Sequence, residues 1–283
     1  MGLENVVQRF YELETKRLPR LSDPATRRLR PSLLPLILPI ALLILWQLSI
    51  TLDLVKAYQL TPPLQVLESA VDHWNRGLLQ SDIVSTVWRV VAGFAVGAGF
   101  AVVLGTITGL SRNVYAAVEP TLQGVRSIPT LAWAPLLLIW LGIGDAPKVT
   151  LVAIGAFFPV YVNLVAGIQG VDRKLVEVAR VYNLKQRQIA TRVILPASLP
   201  SLFTGLRLGL SQAWLFVVVA EIFGATSGLG FRVTDSQLLT RVDLMLVAML
   251  VLAVLGKITD TILLAVQRRS LRWVDSIAAE ALA

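Results

Sequence analysis

Arg89, Arg207, Glu221, Lys257 and Asp260 fall inside blocks of otherwise apolar residues. Charges in such surroundings are costly, so they pair, take up hydrogen bonds or face a polar path. Lys257 and Asp260 lie three residues apart on one face of a helix, and that spacing predicts a pair between them. Glu221 precedes Gly224 to Gly230, a stretch rich in Gly, Ser and Thr, and its carboxylate is expected to bond polar groups there, as in an external gate. Catalytic chemistry has little to work with. The chain has no Cys and one His, His73, which is expected to be a surface histidine in a loop. No HExxH, paired carboxylate or Ser/His constellation occurs. Gly256-Lys257 lacks the upstream glycine and following Ser/Thr of a phosphate loop, so the chain is expected to hydrolyse no ATP. No metal-ligand set is present.

The elements that carry these charges follow from composition. Of 283 residues, 55% are hydrophobic and 16% charged, against about 25% charged in soluble domains. The apolar residues form long blocks rather than an alternating pattern, which predicts an all-α, polytopic membrane protein and excludes a membrane β-barrel. Six spans are expected at 33–52, 85–110, 119–141, 148–170, 200–224 and 242–266. The block at 33–52 is expected to act as an uncleaved anchor. Residues 1–32 are a polar tail in which Val6 to Leu18 form either an amphipathic surface helix or frayed chain. Residues 33–275 make the membrane domain and 276–283 a second tail.

The net charge of +8 lies in the polar gaps, where it sets topology rather than binding nucleic acid. Loop 53–82 carries Lys56 and Arg76 against Asp53, Glu68, Asp72 and Asp82 and is read as external. Segment 171–197 carries Arg173, Lys174, Arg180, Lys185, Arg187 and Arg192 against Asp172 and Glu177 and is read as internal. The basic N-terminal tail and Arg268, Arg269 and Arg272 place both termini inside. Within the external loop, Leu64, Leu67 and Val71 after Pro62-Pro63 suggest a short helix on the membrane face. Trp88, Trp140 and Trp273 stand near span ends, as an aromatic belt expects.

Local motifs refine this plan. Gly93, Gly97, Ala101, Gly105 and Gly109 recur every fourth residue, a ridge of small residues that lets another helix approach closely. The ridge packs either inside one subunit or along a translocation path or dimer seam; Gly205 and Gly209 pose the same alternatives. Pro129 and Pro135 fall in one span and are expected to kink or break it, either as plain structure or to line a cavity. Segment 171–200 reads as a polar helix pair. Asp172 caps the first helix, Asn183 takes the positive backbone angle at its end, and a second helix starts near Leu184 until Pro196 and Pro200 stop it. The pair is expected to project as a docking knob showing Val176, Ala179 and Val181 beside Glu177 and Arg180.

Glu177-x-Ala179, the turn residue at 183 and Leu195-Pro196 resemble the "EAA" loop of permeases from binding-protein-dependent ABC importers. The family prefers Ala at 178 and Gly at 183; Val178 and Asn183 preserve helix and turn. The resemblance spans 33–275. Leu131 to Gly144, Phe158 to Tyr161, Val193 to Pro196, Ala220 to Ile222 and Leu255 to Lys257 look like the sulfonate, taurine, nitrate and bicarbonate branch, and most like aliphatic sulfonate permeases. It implies a type I ABC importer permease fold of about six transmembrane helices with a cytoplasmic coupling-helix loop, in the bacterial inner membrane. Glu177, Val178, Ala179, Arg180, Tyr182, Asn183, Leu195 and Pro196 would then form the coupling surface.

The resemblance also implies partners: two copies of a cytoplasmic ATPase holding ATP and Mg, a periplasmic or lipoprotein solute-binding protein, and a second copy of this chain. No cofactor would bind this chain itself. Such solutes are anions, which need hydroxyls, backbone amides or Arg, ideally at broken helix ends. The candidates are Ser127, Thr130, Trp133, Arg207, Ser211, Trp214 and Glu221, with Arg89 at the external entrance to attract an anion. The competing expectations are an ion-coupled secondary transporter, which needs a mid-membrane carboxylate and an inverted repeat, and a membrane enzyme.

Overall fold

In the computed structural model residues 34–56 and 59–271 are described, so the expectations for 1–33 and 272–283, including the amphipathic tail helix and Trp273, lie outside the described residues. The chain divides into two units: Met1–Leu45 with Val274–Ala283, and Trp46–Trp273. The described part of the first is the opening of the apolar helix α1 (Leu34–Thr51), which tolerates an internal Pro39. The second unit holds the close of α1 and ten further helices among the described residues. These are α2 (Pro63–Asn75), α3 (Leu78–Leu110), α4 (Arg112–Arg126), α5 (Trp133–Leu141), α6 (Asp145–Gln169), α7 (Arg173–Val181), α8 (Gln186–Ile189), α9 (Leu195–Ile222), α10 (Leu229–Leu238) and α11 (Val242–Ser270).

Among the described residues four runs are long and apolar enough to cross a membrane: Leu78–Leu110, Asp145–Gln169, Gln186–Ile222 and Val242–Ser270. A fifth crossing is the pair α4–α5, bent by 76°. The described part of α1, Ile37–Thr51, is apolar but shorter. These four runs and the bent pair overlap the last five of the six expected spans, and α1 overlaps the first without reaching spanning length in its described apolar part.

Helix α6 is the centre, gripped on two sides. A Cβ added at Gly93, Gly97, Gly105 or Gly109 of α3 would meet Val152, Ala153, Leu164 or Ile168 of α6 in turn. Both sets ascend together, so α3 and α6 run parallel. On the other side Gly209 abuts Ala156 and Val160, and Gly205 abuts Asn163 and Pro159, so α9 runs antiparallel to α6. Both glycine ridges therefore pack within this chain. Val90, Val152, Ala156, Leu210, Ala213 and Val217 fill the joint. Opposite the ridge on α3, Val84, Trp88, Val91, Phe100 and Val103 are exposed, as a lipid-facing side requires.

Because α3 and α6 are parallel, the chain between them must return across the bundle, and the bent pair makes that return. Its break lies at Ser127 to Pro129, where Pro129 removes an amide and disfavours helix in the residue before it. Pro135 does not break the span: it sits in the first turn of α5, where amides are unpaired anyway. Pro196 and Pro200 likewise fail to stop their helix, which runs unbroken from Gln186 to Ile222. A stretch of π-helix at Ala190–Ile194 widens the turn just before Pro196, whose missing amide and bulky ring an α-turn would not accept.

Candidate functional site

Two ends of the bundle carry polar structure, and a polar groove lies between them. At one end, after α6, the chain forms a helical hairpin. Asp172 caps α7 by accepting from the Lys174 amide at 2.9 Å. Asn183 closes it at φ 55°. The Leu184 amide returns to the Ala179 carbonyl at 3.1 Å and the Asn183 amide to the Arg180 carbonyl at 2.9 Å. This paired closure needs a residue tolerant of the left-handed region, which Asn is. The Gln188 side chain then accepts from the Lys185 amide at 2.8 Å, starting the second helix two residues later than predicted.

The surface this presents differs in part from expectation. Ala179 is buried, since it lies where the hairpin folds back on itself. Exposed apolar residues are Leu175, Val178, Val181 and Tyr182, the last two more than three-quarters exposed. Leu175, Val178 and Tyr182 share one face at helical spacing. Glu177 and Arg180 are exposed beside them. Leu195 and Pro196 are half-buried where the hairpin enters α9.

At the opposite end, Arg89 and Glu221 are buried together. The Arg89 Nη1 donates to Glu221 Oε1 at 2.6 Å and to the Ser227 carbonyl at 2.7 Å, while its Nε donates to Asp145 at 2.8 Å. Glu221 accepts also from the Thr86 hydroxyl at 2.9 Å and from the Gly230 amide at 2.8 Å. Thr86 in turn accepts from the Leu229 amide. Asp82 takes the Gly228 amide and Arg232 Nε, each at 2.9 Å. The ends of α3, α6 and α9 and the start of α10 are thereby fastened by charge-assisted bonds, buried around Arg89 and Glu221 and open to solvent at Asp145. Glu221 does bond the glycine-rich stretch, as its sequence setting suggested. Arg89 is not placed to attract a free anion: its Nε and Nη1 donors are taken and the side chain is 5% exposed. Gly228 admits this arrangement because a Cβ there would strike the Glu221 carboxylate.

The remaining candidates lie apart. Ser127 is exposed at the break and returns its hydroxyl to the Gln123 carbonyl. Thr130 follows in a single 3₁₀ turn, and Trp133 packs against the cluster of Ala134, Leu137, Leu151, Phe216 and Ala220. Trp214 donates to Thr259 Oγ1 at 2.9 Å, tying α9 to α11. Arg207 grips Asp260 with two bonds, Nε to Oδ1 at 3.0 Å and Nη2 to Oδ2 at 3.3 Å. This corrects the expected Lys257–Asp260 pair: the guanidinium offers a planar two-point fit from the facing helix that an ammonium on the same helix lacks. Thr204, Arg207, Leu208, Ser211, Asp260 and Gln267 line one groove of about 270 Å³. His73 also departs from expectation, lying within α2 with a side chain 12% exposed.

Asp82, Thr86, Asp145 and Arg232 were missed as members of this network, and Asp260 was assigned to Lys257 rather than to Arg207. The signal available was that Arg89 and Glu221 stand near the same predicted face of the membrane.

The sequence profile of the family described as binding-protein-dependent transport system inner membrane component matches residues 101–272. A Bacillus subtilis (strain 168) protein assigned to aliphatic sulfonates transport as permease protein SsuC is 37% identical over 241 residues, 85% of this chain and 87% of that one. The Escherichia coli (strain K12) protein of the same assignment is 35% identical over 239 residues, 84% and 91% of the two chains. A solved structure of the MetNI methionine ABC transporter, in inward facing conformations, superposes with a TM-score of 0.60 at 20% identity, covering 68% of this chain and 96% of that one. At that identity the likeness concerns the fold.

Proposed function

The chain belongs to the family of binding-protein-dependent transport system inner membrane components, and from that premise we propose that it forms, with a second copy of itself, the path by which an aliphatic sulfonate enters a bacterial cell. It is the multi-pass permease subunit of an ABC importer, not an enzyme, and the ATPase is a separate subunit. Its partners are an ATPase and a solute-binding protein. Sulfonate as the solute rests on the two relatives assigned to sulfonate transport, and nitrate, bicarbonate and taurine are the alternatives. Membership of this family sets aside the ion-coupled secondary transporter.

In this reading the hairpin 171–197 faces the cytoplasm, both termini lie there, and the Arg89–Glu221 end faces outward. Two ATPase copies, holding ATP and Mg, would receive the two hairpins. Leu175, Val178, Val181 and Tyr182 supply apolar contact, Glu177 and Arg180 the polar register, and Asn183 the sharp turn that holds the knob rigid. Ala179 acts from beneath by letting the hairpin close, and Leu195 with Pro196 joins it to the spanning helix. Closure of the ATPases on ATP would draw the hairpins together and pass that motion up α9. The observation that carries the reading is the hairpin itself, polar, helical and capped at both ends, seated at the root of a spanning helix. Arg207, Ser211 and Trp214 on α9, with Ser127, Thr130 and Trp133 at the broken span, are the proposed pathway. Glu221 is proposed instead as part of the lock, since it is fully enclosed.

Glu177→Arg tests the docking. The wild-type chain is expected to copurify with its ATPase and to support ATP-dependent alkanesulfonate uptake, and the variant to insert into the membrane but lose both. Retention of the ATPase by the variant would contradict the assignment of this surface.

A further inference from the structure

We infer that Arg207, Lys257 and Asp260 form a charge-compensated station for a passing anion, set in a water-filled cavity in the half of the membrane nearer the hairpin. The inference deepens the anion-import reading above and rests on it. Arg207 lies about 18 Å from the start of α9 and about 22 Å from its end, at 1.5 Å per residue. Asp260 lies about 15 Å from the end of α11 on the same measure, and Lys257 about 20 Å. With both helices crossing the membrane, these distances put all three inside the spanning stretch, where charged groups turned to lipid are strongly disfavoured. Yet the Arg207 side chain is 40% exposed and that of Asp260 30%. Lys257 is exposed too, and its ammonium has no partner among the described residues.

Polar groups share the lining with Leu208. Thr204 and Ser211 flank Arg207 one turn either side, both exposed, and line the same groove. Gln267, two turns beyond Asp260, has a buried Oε1 without a partner among the described residues. A buried acceptor of that kind calls for water or a solute. A polar stripe on two facing helices, crossing the depth where lipid admits only apolar surface, fits an aqueous path.

The charge balance states which solute. Arg207 meets Asp260 in the groove and Lys257 stands one turn before Asp260 on α11, so two cations stand against one carboxylate and the local balance favours an anion. Asp260 occupies Nε and Nη2 of Arg207 and leaves Nη1 free to donate to an oxyanion such as a sulfonate. The same carboxylate keeps the hold weak, because an arginine without its partner at this depth would trap the anion rather than pass it.

The natural absence of cysteine allows a direct test. Ser211→Cys is placed in the full importer, assembled with its ATPase in lipid nanodiscs so that both faces are accessible. Its reaction with small anionic and cationic thiosulfonates of equal size is compared with that of a free thiol. Both reagents should react, and the anionic-to-cationic ratio should exceed the free-thiol value. Adding Lys257→Gln should lower the ratio about fivefold, and Asp260→Asn should raise it by a similar factor. Lys257→Gln leaves the Arg207–Asp260 pair intact, so it serves even where Asp260→Asn fails to assemble. Reaction with an uncharged lipophilic maleimide alone would place the groove against lipid and overturn the inference. A Ser211→Cys pair that oxidises to a disulfide between copies and excludes both charged reagents would also overturn it, as would a ratio unmoved by either charge change. Alkanesulfonate uptake by the wild-type importer is scored separately. Its absence with the charge ratios as expected would remove the sulfonate reading and leave the station standing.

Discussion

Glu221 shows how a single residue can be placed in the right neighbourhood by sequence and still be given the wrong partner. Its glycine-rich neighbour is where it was expected, and the Gly230 amide does bond it. The stronger partner, Arg89, comes from 132 positions away and was read as free to meet an anion. Asp260 repeats the lesson: the nearby Lys257 was legible, while Arg207 on the facing helix was not. Local spacing speaks only of one helix face, whereas ion pairing at depth is decided by which helices pack. Removing one member of a buried pair strands the other, which costs about 3–5 kcal/mol. Glu221→Ala and Arg89→Ala are each expected to lower stability by that amount in a detergent unfolding titration. The double variant should cost clearly less than the sum; strict additivity would deny the coupling.

At the scale of elements, much was legible because the physical causes are local. Apolar blocks gave the spanning helices, Asp172 the cap of α7, Asn183 its left-handed end, and Pro129 the break in the return span. Pro196 and Pro200 misled because a proline inside a packed spanning helix costs a hydrogen bond without having to end it: the π stretch at Ala190–Ile194 leads into Pro196, and Pro200 sits within α9 itself. The outward face of the hairpin was misjudged at Ala179, whose burial depends on the second helix folding back over it. The small-residue ridge was legible as a ridge, but its partner, α6, was one of several options. That assignment makes a sharp prediction. Gly97→Leu drives a side chain into the Ala153 backbone, whereas Gly99, two residues on, faces open space. Gly97→Leu should lower stability by at least about 2 kcal/mol, seen as a fall in Tm in detergent. Gly99→Leu should leave Tm near the wild-type value. Equal effects at both sites would refute the packing of α3 on α6.

Across the Trp46–Trp273 unit the parts form one line of action. The hairpin sits at the foot of α9, Arg207 lies at mid-depth on the same helix, and Glu221 ends it in the buried lock. A displacement delivered at 172–190 is thus carried by one unbroken run of helix, Gln186–Ile222, to the far face. The lock fastens that far end to α3, α6 and α10, so the motion is passed to the bundle rather than lost in a loose helix end. Sequence alone could not supply this continuity, because the two prolines argued against it.

The claim on which the account turns is that this hairpin receives the ATPase. Val181→Cys in the cysteine-free chain places a thiol at the most exposed apolar point of the hairpin. Trp74→Cys places one at the opposite end of the bundle, on α2. With a short heterobifunctional reagent that joins this thiol to lysine amines of the neighbouring subunit in the assembled importer, the account predicts a cross-link from residue 181 to the ATPase subunit and none from residue 74. A cross-link to the ATPase from residue 74, or none from residue 181 in an importer that still transports, would contradict it.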